Sequence, residues 1–153
     1  MANTYHQMYV QAVFAVKYRD AILEKKWRED FFGVMGNLIN ETGCKNIIVN
    51  GVEDHVHCFI GLKPTWSVSD LMKIVKAKSS KWLNGTNYLN RRFEWQTGFG
   101  CFTYNQSHIH RVYRYIQNQE EHHRKKQFLK EYTQLLKAFK IDYDPRYIFD
   151  ELK

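Results

Sequence analysis

An α+β fold is what this sequence predicts, from three observations. Its apolar residues switch between period two and period 3.6; two strand-like runs are joined by a two-residue turn; and 153 residues give room for one core but scarcely two. Residues 9–16, rich in Val, Phe and Ala, read as a first strand. Across residues 23–42, Trp27, Phe31, Val34, Met35, Leu38 and Ile39 recur at helical spacing, and Gly43 stands where that helix would stop. Residues 47–52 form a second strand, Glu53-Asp54 a tight turn and residues 55–62 a third strand, together a hairpin.

Ser67-Val-Ser-Asp70 opens a second helix, with Ser67 or Ser69 as N-cap and Asp70 favourable at the positive end of the dipole. Leu71, Ile74, Val75 and then residues 78–83 continue it, and the polar stretch 84–96 reads as a surface loop. Residues 99–104 give a fourth strand, and from Ser107 to about Phe139 the pattern is helical with a break near His122-His123. The order strand, helix, strand, strand, helix, strand predicts a ferredoxin-like βαββαβ sheet with its helices on one face, followed by a C-terminal helical extension. We expect a single domain over 1–153, with a core over about 5–130 and a helical tail over about 131–153.

The composition, 44% hydrophobic and 16% aromatic, argues against disorder. A net charge of +7 and a pI near 9.3 suit a polyanionic partner, of which nucleic acid is the commonest. Cys44, Cys58 and Cys101 are odd in number and lack metal-finger spacing, so they read as reduced residues of a cytoplasmic protein. No signal peptide is evident at the N-terminus, and no apolar run approaches the ~20 residues that span a bilayer, so no membrane partner is expected.

His55-Val56-His57 carries the most chemistry. Side chains alternate along a strand, so the two imidazoles share one side and aim at one point. Tyr115 and Gln119 lie four residues apart in a helical stretch and share a helix face. Ile109, Val112, Tyr113 and Ile116 form a core-facing stripe, which makes Tyr113 a packing residue and leaves Tyr115 roughly 110° from the stripe's centre, on the flank. Two ligands on a strand, with a nucleophile and a neutral oxygen ligand on a helix, would make a metal-assisted tyrosine site. The histidines leave the identity of the metal open. A phenol with a reference pKa of about 10 needs help to act as a nucleophile. No acidic base stands out near Tyr115; Glu120 and Glu121 read as solvated helix charges. His123, one turn past Gln119, is an alternative ligand, although with Arg124-Lys125-Lys126 it suits a basic patch better. His108 and His110 suit DNA contact or plain exposure.

These residues resemble the single-tyrosine HUH transposases of small bacterial and archaeal insertion sequences. The resemblance rests on His55-Val56-His57, the Tyr115-Ile116-Gln117-Asn118-Gln119 helix, Trp95-Gln96-Thr-Gly-Phe-Gly100 and the early Phe14-Ala-Val-Lys-Tyr-Arg19 strand, and it spans roughly residues 5–130. It implies a ferredoxin-like homodimer acting on single-stranded DNA at element ends, often with hairpins. Tyr115 would attack the scissile phosphate to give a 5′-phosphotyrosine link, while His55, His57 and Gln119 hold Mg²⁺ or Mn²⁺. The tyrosine helix can complete the partner subunit's histidine pair in such families, so the resemblance leaves open whether each site is built within one subunit or across two. REP-associated relatives usually carry a Tyr-Ile-His-x-Asn-Pro-like motif, and Tyr-Ile-Gln-Asn-Gln in this chain favours the mobile-element branch.

DNA contact is expected from Lys17 and Arg19 after the first strand, Lys73, Lys76, Lys78 and Lys81 on the second helix, and Arg91 and Arg92 in the following loop. The tail that ends Asp142-Tyr-Asp-Pro-Arg-Tyr-Ile-Phe149 is expected to add a packing or dimer element. A competing class is a non-catalytic single-stranded RNA-binding module, suggested by the glycine–aromatic run Gly98-Phe-Gly-Cys-Phe-Thr-Tyr104. Thr97 and Cys101 break that signature, and the module leaves His55, His57 and Gln119 without a purpose.

Overall fold

The computed structural model describes residues 4–121 and 127–142. In chain order it contains β1 (Tyr9–Ala15), α1 (Lys25–Glu41), β2 (Lys45–Gly51), β3 (His55–Gly61), α2 (Val68–Asn84), β4 (Gly100–Tyr104), α3 (Ile109–Gln117) and α4 (Phe128–Ala138). The strands form one antiparallel sheet in the order β2-β3-β1-β4, the ferredoxin-like arrangement. β1 and β3 are central and almost wholly buried, which explains their near-continuous apolar runs: strands covered on both faces show no polar alternation.

The period of two divides the sheet's residues between two cores. Val10, Ala12, Phe14, Val56, Cys58 and Ile60 face α1 and α2, with Phe31, Met35, Ile39, Leu71 and Val75 packed against them. Val13, Ala15 and Phe102 point the other way, under Phe128, Tyr132 and Leu136 of α4, and Phe59 meets Val112 and Ile116 of α3. The two helices of the βαββαβ unit thus share one face, and the C-terminal extension covers the other.

Helix ends follow local chemistry. Ser67, not Ser69, caps α2, its Oγ accepting from the Asp70 N–H at 3.1 Å. Gly43 adopts φ 90°, the left-handed conformation that ends α1. Residues 84–96 are more than a surface loop. Phe93 is fully buried, its N–H donating to Asn84 Oδ1 and its carbonyl accepting from Asn84 Nδ2, and the Gln96 N–H donates to Ala15 O. The aromatic residues Phe93 and Trp95 drive this return: both join the first core, in edge contact with each other at 4.9 Å between centroids. The helical pattern after β4 breaks at Asn118, ahead of His122 and His123, which lie outside the described residues. α4 runs across the boundary expected near residue 130, and its Glu131, Tyr132 and Leu136 are buried. Residues 143–149 of the tail also lie outside the described residues.

Candidate active site

β3 delivers both histidines to the face covered by α3 and α4. Register places His55 beside Ala15 and His57 beside Val13, and both imidazoles are buried, with ring centroids 5.2 Å apart. Phe128 stacks on His55 at 4.0 Å and closes that side with an apolar wall.

Gln119 sits just past the α3 kink, where its Oε1 lies 3.2 Å from His55 Nε2. Two anchors hold that kink. Asn50 Nδ2 donates to the carbonyls of Ile116 and Gln117, and the buried Arg28 guanidinium donates to Glu120 Oε1 at 2.7 Å. Glu120 is therefore an exposed charge, as expected, that also ties this segment to α1. Tyr115 packs against the core stripe of Val112 and Ile116, its ring 5.8 Å from that of His57. Tyr113, the expected packing residue, is half-buried and lies outside that core cluster. The difference arises because α3 presents the sector containing Val112, Tyr115 and Ile116 to the sheet.

Glu131 of α4 links these groups. Its Oε1 lies 3.3 Å from His55 Nε2 and 3.2 Å from His57 Nε2, while Oε2 accepts from the Tyr115 hydroxyl and, at 3.5 Å, from Gln119 Nε2. Sequence reasoning found no acid beside Tyr115, and Glu131 is that acid. One signal pointed to it: Glu131 falls three residues after Phe128 and one before Tyr132, on the apolar face of α4. A carboxylate on such a face needs partners.

Two further residues orient the histidines. Asp54 Oδ1 accepts from His55 Nδ1 at 2.8 Å, which leaves Nε2 facing the site. Gln11, a buried amide within an apolar strand, contacts His57 Nδ1 at 2.8 Å and accepts from the Tyr104 hydroxyl. A ligating His57 needs its proton on Nδ1. Turning the Gln11 amide end over end would present Oε1 to that proton, and the Tyr104 hydroxyl can either donate or accept.

Electrostatics bind the group together. Burial opposes a charge on His55, but hydrogen bonds to Asp54 and Glu131 and their negative charges outweigh it, raising its pKa to about 9. Burial likewise opposes ionisation of Glu131, yet His55 and His57 hold it well below the usual carboxylate range. Burial, reinforced by the Glu131 charge, pushes the Tyr115 phenol well above its ordinary value.

His55, His57 and Glu131 form a buried group that could hold a metal ion, their ligand atoms all within 4.8 Å of one another. Cis ligands about 2.1 Å from an octahedral ion lie about 3.0 Å apart. The 3.2–3.3 Å spacings at Glu131 Oε1 and the 3.2 Å spacing from Gln119 to His55 match that edge. The donor set therefore fits a divalent cation.

The basic residues divide into several environments. Lys17, Arg91 and Arg92 line a cavity of about 180 Å³ with Tyr18, at the end of β1 that leads to His55. Arg19 is half-buried at φ 55°. Lys73, Lys78 and Lys81 are exposed on α2. Lys76 departs from the expected DNA-contact group. Its Nζ donates to the carbonyls of Gln96 and Gly98 at 2.7 and 2.8 Å, and burial lowers its pKa to about 8. It clamps the segment before β4. His108 and His110 are exposed. In β4, Phe102 is buried and Tyr104 half-buried beneath the C-terminal helices, so neither is a free stacking surface of the kind an RNA-binding sheet requires.

A ferredoxin-like sheet bearing a buried histidine pair under a tyrosine helix defines the class, and comparison with known proteins agrees. The sequence pattern described as "Transposase IS200 like" matches residues 4–119, and the chain belongs to that family of DNA-processing enzymes. No curated protein matches the chain. Among solved structures, it is similar to a transposase candidate from Deinococcus radiodurans R1, at 18% identity over 78% of this chain and 95% of that one, with a TM-score of 0.63. It is also similar to a REP-associated tyrosine transposase bound to a REP hairpin, at 13% identity over 80% of this chain and 73% of that one, with a TM-score of 0.58. Among the described residues no helix is long and apolar enough to cross a membrane.

Proposed function

We propose that this protein cleaves and rejoins single-stranded DNA at insertion-sequence ends, with Tyr115 as nucleophile and His55, His57 and Gln119 holding Mg²⁺ or Mn²⁺. The observation that carries the reading is the convergence of the Tyr115 hydroxyl and the two His Nε2 atoms on a single carboxylate, that of Glu131. In the cleavage step the Tyr115 oxygen bonds to phosphorus and the bond from phosphorus to the 3′-oxygen breaks. A 5′-phosphotyrosine link and a free 3′-hydroxyl result. Attack by a 3′-hydroxyl on that link rejoins the strand and frees the tyrosine, so no nucleotide cofactor is required.

The cation would polarise the phosphate and offset the charge that develops on attack. The chain's own residues do the positioning. Glu131 holds the hydroxyl hydrogen of Tyr115, Asp54 fixes the tautomer of His55, and Phe128 excludes water from the His55 side. The raised pKa of Tyr115 means that the phenol alone supplies little phenolate at neutral pH, which is why a site of this kind calls for a cation. The three free cysteines accord with a cytoplasmic setting.

The test is incubation with single-stranded DNA carrying a terminal hairpin and Mn²⁺, followed by a denaturing gel. A protein–DNA adduct that survives denaturation supports the reading, and its absence with every strand and metal tried sinks it. We assign the assembly to one subunit of a homodimer, because the Asn50 and Arg28 ties hold the tyrosine helix against its own sheet. Mixed Tyr115→Phe and His57→Ala proteins should therefore form no adduct, whereas recovery on mixing would mean that the helix serves the partner's histidines.

We assign phosphate contact to Lys17, Arg91 and Arg92 around their cavity and to Lys73, Lys78 and Lys81 on α2. Arg92→Ala should weaken binding of different single strands to a similar degree. It should also flatten the slope of log K against log salt by about 0.7. An unchanged slope in fluorescence anisotropy titrations would remove Arg92 from the interface.

A further inference from the structure

We propose that Glu131 is a fourth protein ligand of the cation and ties it to the nucleophile, with Oε1 on the metal and Oε2 on the Tyr115 hydroxyl. The inference rests on the metal-assisted reading above and goes beyond it, because the ligand set carried over from sequence is His55, His57 and Gln119. Three observations support it.

The first is spacing. Glu131 Oε1 lies 3.3 Å from His55 Nε2 and 3.2 Å from His57 Nε2. Those are the separations of neighbouring ligands around a six-coordinate ion, about 3.0 Å when each bond is about 2.1 Å. Gln119 Oε1, 3.2 Å from His55 Nε2, adds another edge. His55, His57, Gln119 and Glu131 would together hold the ion, which would supply charge to a substrate phosphate.

The second is burial. Glu131 is 7% exposed on the apolar face of α4, between Phe128 and Tyr132. A buried carboxylate is expensive without paired charge, and the described partners of its oxygens are His55, His57, Tyr115 and Gln119. A divalent cation between the imidazoles and the carboxylate supplies that charge with both histidines neutral, the state in which imidazole ligates.

The third is donor chemistry. Two imidazoles and an amide oxygen make a neutral set that expresses little preference for a hard cation. A carboxylate adds negative charge and a hard oxygen, which moves the site toward Mg²⁺ and Mn²⁺. The bridge also fixes where the nucleophile stands. Oε2 accepts from the Tyr115 hydroxyl while Oε1 faces both histidines, so a cation held there would lend its charge to a phosphate brought to the nucleophile. α4 is then part of the site, and the catalytic unit extends past the Tyr-x-x-x-Gln helix.

Calorimetric titration with Mn²⁺, without DNA, tests the ligand independently of activity. Wild type should bind one ion. Glu131→Gln, nearly the same shape without the charge, should weaken binding by about tenfold or more, and Tyr115→Phe should stay within about twofold, since the phenol is no ligand. Wild-type affinity in Glu131→Gln, with binding lost in His57→Ala, overturns the role of Glu131 and leaves the metal-assisted reading standing. Absence of saturable binding in wild type overturns both. Should Glu131→Gln fail to fold, wild type labelled with ¹³C at glutamate carboxyls gives the answer. Mg²⁺ should shift one buried glutamate resonance, and no shift overturns the assignment.

Discussion

Tyr115→Phe should abolish the covalent adduct, lowering single-turnover cleavage by about 10⁴-fold or more, as loss of a nucleophile does elsewhere. The variant removes one oxygen and leaves the ring to pack against Val112 and Ile116, so the fold should persist. It breaks the hydroxyl's donation to Glu131. Tyr113→Phe is the matched control. That residue lies outside the site's core cluster, and its variant should form adduct at close to the wild-type rate. An adduct from Tyr115→Phe, seen by denaturing gel and located by peptide mass, would move the nucleophile elsewhere.

Gly51→Ala should be the most damaging of the conservative changes to the fold. A Cβ at this position would stand 2.2 Å from the carbonyl oxygen of His55 and 2.9 Å from Val56 Cα, and both neighbours are backbone. Gly51 pairs with Val56, and the next residue's N–H donates to the same His55 oxygen, so the hairpin cannot retreat without opening its turn. Overpacking of this kind costs about 3 kcal/mol, a drop of about 10 °C in melting temperature for a domain of this size. Because the displaced residue is His55, Mn²⁺ affinity should fall as well. Gly33→Ala is the contrast. It lies in α1 with nothing within 4 Å of the added methyl and should hold or gain stability. Equal melting temperatures for Gly51→Ala and wild type would mean that the turn is looser than its geometry indicates.

Strand periodicity alone put His55 and His57 on one side of β3, and their spacing of two survives any packing because it is a property of the strand. Element order also sufficed for the sheet, since a hairpin between two strand–helix units leaves few ways to pair four strands. Helical phase was less dependable. The stripe chosen from Ile109, Val112, Tyr113 and Ile116 is one of two nearby sectors with similar apolar content. Contact with Phe59, and the anchoring of the kink by Asn50 and Arg28, selected the sector containing Tyr115. Lys76 shows the same limit on charge: sequence counts a lysine, but only packing reveals that two carbonyls hold it.

The sequence by itself determined the histidine pair, the Tyr-x-x-x-Gln spacing and the basic balance, because each depends on local geometry or composition. Tertiary structure decided that Glu131 meets both histidines and the tyrosine, that Gln11 and Asp54 orient the imidazoles, and that residues 84–96 return to the sheet. Three of those pairings join residues 46, 74 and 76 positions apart (Gln11 with His57, Glu131 with His57, and Glu131 with His55), while Asp54 is the sequence neighbour of His55. No local periodicity reaches so far; the shared burial of β1, β3 and α4 brings such groups within 3.3 Å.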